Sequence, residues 1–153
     1  MCIRDRVMDA AGYAAPSTWR RTIEKMFDYC ARQMSANGLQ VLNGDSGMGS
    51  LVNIVSNAAA RFHRPDWLFL VTRGAQGQPR PNETGSKMFD WAGQLVMHST
   101  WGASVADEAL WAWFKVGPYG NSGHGHLEKL HLSVRAHGAV SYTHLTLPTI
   151  CSV

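Results

Sequence analysis

Residues 110–138 read LWAWFKVGPYGNSGHGHLEKLHLSVRAHG. Two alternating segments flank a glycine-rich turn. In the first, Leu110, Ala112, Phe114 and Val116 alternate with Trp111, Trp113 and Lys115. In the second, Leu130, Leu132, Val134 and Ala136 alternate with His131, Ser133, Arg135 and His137. A period of two predicts strands, because successive side chains point to opposite faces. The turn between them is built on Gly120, Ser122, Gly123 and Gly125, small residues that let the backbone fold tightly. It presents His124 and His126 to whatever the turn faces. Imidazole serves as acid, base or metal ligand near neutral pH, so this is the candidate for chemistry.

Upstream the period changes. In residues 16–36, Trp19, Ile23, Met26, Phe27, Cys30, Ala31 and Met34 recur at three- and four-residue spacing, which predicts an amphipathic helix. Pro16 and Ser17 suit its start, and Gly38 suits a stop. A second helix is predicted from about Ser46 to Phe62, with Met48, Leu51, Val55, Ala58, Ala59 and Phe62 as its stripe. Trp67 to Thr72 is short and apolar, a third helix or a strand. Gly74 to Gly85 is a polar Gly/Pro/Gln/Asn stretch that reads as a linker. Gln94 to Ser99 is a further strand. The switch from a period near 3.6 to a period of 2 falls around residue 85. It marks the last helices of an all-α region joined to the first strands of an all-β region.

Composition narrows the function classes. No apolar run approaches the roughly 18–20 residues that a membrane span requires. The net charge of +3 comes from scattered residues. Arg20 and Arg21 are the only adjacent basic pair outside the extreme ends, so there is no stripe that would track a nucleic-acid backbone. The six tryptophans either fill cores or stack on sugar rings, and most are expected in the core. Cys30 lies on the apolar helix face and is expected to be a buried thiol.

The two ends stand apart. Met1 to Asp5 can be encoded ATG TGT ATA AGA GAC, whose reverse complement encodes Val-Ser-Tyr-Thr-His. Those are Val140 to His144. A fold gives no physical reason to carry one DNA word at one end and its inverse at the other. The expectation is that residues 1–6 and 140–153 are translated sequencing adapter, to be excluded from fold reasoning. Residues 7–80 are then the end of a helical domain and residues 81–139 the start of a sheet domain.

If the histidine turn runs into the following strand, His124 and His126 point to the same face and can share a metal or line one cleft. Zinc takes three or four protein ligands. Glu128 shares their parity, but its close spacing gives no certain third ligand. A bare His-x-His is more often a surface turn whose rings bond to backbone. A cupin-type metal barrel also uses His-x-His. It asks for glycine at position 118 and glutamate at 130 or 131, where this chain has Pro118, Leu130 and His131.

The whole pattern resembles the heparinase II/III-like polysaccharide lyases. The resemblance rests on Trp113-Phe114-Lys115-Val116-Gly117-Pro118-Tyr119-Gly120, then Gly123-His124-Gly125-His126-Leu127-Glu128-Lys129-Leu130, then Ala136-His137-Gly138. Asn43-Gly44-Asp45-Ser46 resembles the family's loop between helices, and Gly93 to Trp101 its first β-domain strand. The resemblance implies an α+β chain: the C-terminal helices of an incomplete α/α toroid, followed by the first strands of an antiparallel β-sandwich. It implies cleavage of a uronate-containing acidic polysaccharide by β-elimination. It places His124 at the substrate cleft as the catalytic candidate and gives His126 to a structural zinc whose other ligands lie outside the resembling stretch. It also implies a periplasmic or secreted parent protein.

Three residues depart from the family pattern. Glu128 stands for the usual aspartate, Lys115 for a common aspartate before Gly-Pro, and His98 for a common arginine after Met97. The family's catalytic tyrosine lies upstream of the first helix, and Tyr13 does not align with it. The 153-residue chain itself is expected to be inactive, with apolar faces left open. The alternative is a non-catalytic glycan-binding or metal-binding β-module of the same fold.

Overall fold

The computed structural model describes residues 7, 10–14, 16–43, 46–81, 85–100, 109–117, 130–137 and 139–142. His124, His126 and Glu128 of the turn, and Gly44 and Asp45 of the upstream loop, lie outside them. The chain forms helices α1 (Ser17–Gln33), α2 (Val52–Phe62) and α3 (Pro65–Val71), then strands β1 (Lys87–Phe89), β2 (Gln94–His98), β3 (Trp111–Lys115), β4 (His131–Ala136) and β5 (Ala139–Tyr142). A 3-10 turn, Asp90–Ala92, joins β1 to β2. The strands make one antiparallel sheet in the order β1-β2-β3-β4-β5. The helices-then-strands order agrees with the α+β reading.

The helical layer is held by Phe27, Ala31 and Met34 of α1 and its extension, Leu51, Val55, Ala58 and Ala59 around α2, and Trp67 and Leu70 of α3. Phe27, Phe62 and Trp67 form a ring triangle with centroids 5.9–6.2 Å apart. Trp67 is fully buried, and burying a side chain of that size dominates a small core. Trp19 and Met26, placed on the apolar stripe by spacing, are instead exposed, because no helix among the described residues covers that flank. Cys30 packs against the core, half-buried, and burial pushes its thiol pKa up.

The α2 helix starts later than its periodicity suggests. Gln40 N–H donates to Gly49 O and Leu51 N–H to Gly38 O, both at 2.9 Å. This short antiparallel bridge, Leu39 to Ser50, uses backbone groups that a helix from Ser46 would need. Met48 is consequently exposed on a loop and is not part of the helix stripe. At the other end His63 takes a left-handed conformation, and Arg64 N–H closes back on Ala59 O at 2.9 Å, ending the helix. Pro65 then starts α3, resolving the choice between helix and strand for that segment.

The polar stretch after α3 is tied down. Gln78 N–H donates to Pro65 O at 3.1 Å, and Arg80 reaches Asp66 at 3.1 Å and Asp28 at 3.6 Å. Strand β5 takes in Val140 to Tyr142 of the C-terminal segment; valine and tyrosine favour strands, and they follow a turn at His137.

The sheet turns one face to the helices. Three cross-strand rows line that face: Gln94, Lys115 and His131; Val96, Trp113 and Ser133; His98, Trp111 and Arg135. All but Lys115 are buried. Phe89, Val96, Trp111 and Trp113 form a second core with Val41 from the loop after α1, and Tyr29 of α1 packs against it. The opposite face carries the apolar rows Met88, Leu95, Phe114, Leu132 and Met97, Ala112, Val134. None of these seven is fully buried.

Candidate functional site

The helix–sheet junction joins residues at the edges of two of the sequence motifs. The loop that carries His124 and His126 leaves β3 after Lys115 and rejoins the sheet at His131, and these two residues are register partners. Its departure is fixed by a close backbone approach. Val116 N–H donates to Gly93 O at 2.8 Å. A Cβ on Gly117 would stand 2.1 Å from Ala92 O, so only glycine fits there.

Lys115 Nζ donates to Asn43 Oδ1 at 2.9 Å. Asn43 opens the Asn-Gly-Asp-Ser stretch and Lys115 ends the strand that precedes the histidine turn, so these two positions, far apart in sequence, meet through one hydrogen bond. On the same row, Tyr29 O–H donates to Gln94 Oε1 at 2.5 Å. Burial pushes the Tyr29 pKa up to about 12, despite that hydrogen bond, so the phenol stays protonated and acts as a donor. Tyr29 also meets Phe89 edge-on at 5.0 Å and Trp91 at 6.0 Å. Trp91 itself is 74% exposed.

His131 is buried, with Nε2 3.0 Å from Ser133 Oγ and its ring edge-on to Trp113 at 5.3 Å. At the far row, His98 Nε2 lies 2.9 Å from Arg32 O. A carbonyl only accepts, so Nε2 carries the proton. Burial lowers the His98 pKa to about 4, against the pull of that hydrogen bond and with the push of the Arg32 charge. His98 is therefore a neutral strut between helix and sheet, which gives the departure from arginine a partner. Arg135 donates to Asn37 Oδ1 at 3.3 Å, lies over Trp111 at 5.6 Å, and has its pKa lowered by desolvation.

A second polar cluster braces the helices. Arg64 binds Asp66 and Glu24 at 2.6 Å each and Asp28 at 3.1 Å, and its guanidinium lies 4.1 Å from the Trp67 ring centre. Trp67 Nε1–H donates to Asp28 at 2.9 Å. These carboxylates raise the Arg64 pKa against the opposing effect of burial.

Among the described residues no three His, Cys, Asp or Glu side chains stand together as a metal site. They supply no ligand set for zinc. The pairing of Lys115 with Asn43 carried no signal in the sequence, and that of Tyr29 with Gln94 carried only a faint one. Tyr29 lies off the apolar stripe of its helix, which was the one available hint.

No family model and no curated protein matches the chain. Solved structures do. A heparinase III gene product superposes with a TM-score of 0.68 at 22% identity, over 82% of this chain and 19% of its own. Heparan sulfate lyase HepC from Pedobacter heparinus superposes with a TM-score of 0.70 at 21% identity, over 89% of this chain and 21% of its own. The chain thus has the fold of one part of these lyases and spans about a fifth of their length.

Proposed function

We propose that this chain is part of a polysaccharide lyase that cleaves a uronate-containing acidic polysaccharide by β-elimination. The observation that carries the reading is the bond between Asn43 and Lys115 at the helix–sheet junction, in a chain that has the fold of one part of heparinase III and a heparan sulfate lyase. In such a reaction a base removes the proton at C5 of the uronate. The electron pair forms the C4–C5 double bond, the C4–O bond breaks, and the departing oxygen takes a proton. The C5 proton becomes acidic enough only when donors neutralise the neighbouring carboxylate. Within this reading His124 lines the substrate cleft and moves or holds a proton there, and the acid–base tyrosine comes from a segment upstream of α1. His126 holds the structural zinc, the parent protein is periplasmic or secreted, and the 153-residue chain alone does not turn over substrate.

The test is an assay of the longer protein that carries this chain on heparan sulfate, heparin, chondroitin sulfate and alginate, with neutral dextran as control. The reading predicts an unsaturated uronate product, detected by its ultraviolet absorbance, from at least one acidic glycan and none from dextran. Binding of an acidic glycan without any product would favour a non-catalytic glycan-binding module. Zinc that is stoichiometric in the wild type and lost in His126→Ala supports the metal assignment; full zinc content in that variant contradicts it.

A further inference from the structure

Two residues at the junction are left over by this account, and both suit an anionic sugar. Trp91 is a large apolar side chain held out of the core. Its position is fixed: Trp91 N–H donates to Asp90 Oδ1 at 3.0 Å, Gly93 turns the chain in a left-handed conformation, and the edge of Tyr29 supports the ring at 6.0 Å. An exposed indole on a rigid turn presents an apolar plate to solvent, the surface that the C–H face of a sugar ring needs. Lys115 is the second. Its ammonium group is half-buried and held by the neutral amide of Asn43, and no carboxylate pairs with it among the described residues. A neutral acceptor takes one of its three N–H donors and does not itself offset the charge.

The fold links the two through shared neighbours. Trp91 rests on Tyr29, Tyr29 bonds Gln94, and Gln94 is the register partner of Lys115. The turn that holds Trp91 touches the start of the histidine loop through Gly93 and Gly117. From this juxtaposition we propose that Trp91 and Lys115 form a subsite that positions one acidic sugar of the chain, the indole under its ring and the ammonium group at its carboxylate or sulfate. The inference rests on the polysaccharide-lyase reading and goes further by naming which residues select for charge and chain length. Trp91 lies outside the motif that suggested the activity, and Lys115 is one of its departures from the family pattern.

The experiment uses the longer protein, with steady-state kinetics on heparan sulfate and alginate oligosaccharides of increasing length, in low and high salt. Lys115→Gln should raise KM about tenfold on the long oligosaccharides with kcat little changed, and should flatten the salt dependence of KM there by removing one screened charge contact. Lys115→Arg should restore both, which a purely structural hydrogen bond to Asn43 would not require. Trp91→Ala should raise KM about tenfold on long oligosaccharides and leave the shortest cleavable substrate unaffected, and Trp91→Tyr should retain most of the wild-type KM. Thermal melts of the variants establish that they fold. Wild-type cleavage with KM and salt slope unmoved in Lys115→Gln and Trp91→Ala overturns the subsite alone. A wild type that neither cleaves nor binds any acidic glycan overturns the lyase reading and the subsite with it.

Discussion

Gly93 and Gly117 touch backbone to backbone: a Cβ on Gly93 would stand 2.3 Å from the Gly117 Cα. No side chain fits between the turn that precedes β2 and the strand that feeds the histidine loop. Gly93 also has a φ of 58°, where a side chain is strained in any surroundings.

Gly117→Ala should therefore force the two segments apart and lower unfolding stability by about 2 kcal/mol, read as a lower urea midpoint. Gly47→Ala is the matched control. Its Cβ meets nothing within 4 Å, and its effect should stay within about 0.5 kcal/mol. Equal effects at the two positions would remove the close approach as the cause.

His98 makes stability depend on pH. Its pKa falls from 6.5 in the unfolded chain to about 4 in the fold. Between those values the unfolded state binds the extra proton, so stability is fully present above pH 6.5 and is lost as pH falls toward 4. The loss should reach about 3 kcal/mol. His98→Gln keeps a donor for Arg32 O and removes the titration, so urea unfolding measured from pH 7 to pH 4 should show a flatter profile. An unchanged slope in that variant would assign the pH dependence to other groups.

The arginine–carboxylate cluster predicts a contrast between two of its members. Asp66 is buried among Arg32, Arg64 and Arg80, so Asp66→Asn leaves buried guanidinium charge uncompensated and should cost about 3 kcal/mol. Arg80 is 38% exposed on its side chain, and Arg80→Ala should cost less than about 1 kcal/mol. Chemical denaturation of both variants checks the ordering.

The apolar row Met88, Leu95, Phe114, Leu132 lies on the face of the sheet turned away from the helices. An apolar surface of this kind is a site for association. The chain should self-associate as its concentration rises, and Leu132→Glu should shift it toward monomer in analytical ultracentrifugation without changing the helical core. Identical sedimentation of the two proteins at all concentrations would contradict this.

Much of the fold was legible because its elements obey a simple period. Phe27, Ala31 and Met34 mark α1, and the alternation of Trp111 to Lys115 and His131 to Ala136 marks β3 and β4. The start of α2 was misread because Gly38, Gln40, Gly49 and Leu51 spend their backbone groups on a bridge that no periodicity records. Alternation also separates two faces of the sheet without saying which one is covered. Here the side with His131, Ser133 and Arg135 is the buried one, because the helical layer and its loops pack against it and supply Arg135 with a partner in Asn37. The candidate site was legible only as separate motifs. The bond from Lys115 to Asn43 spans 72 residues, and such a pairing is a product of tertiary packing, with no local pattern to announce it.

The central claim is that the loop between β3 and β4 brings His124 into a uronate cleft where it takes part in elimination. The most direct measurement compares wild type and His124→Ala in the longer protein, following unsaturated uronate formation on the glycan the wild type cleaves best, with glycan affinity measured in parallel. The account predicts a loss of kcat of about a thousandfold with the fold and glycan affinity retained. Wild-type turnover in His124→Ala would contradict it.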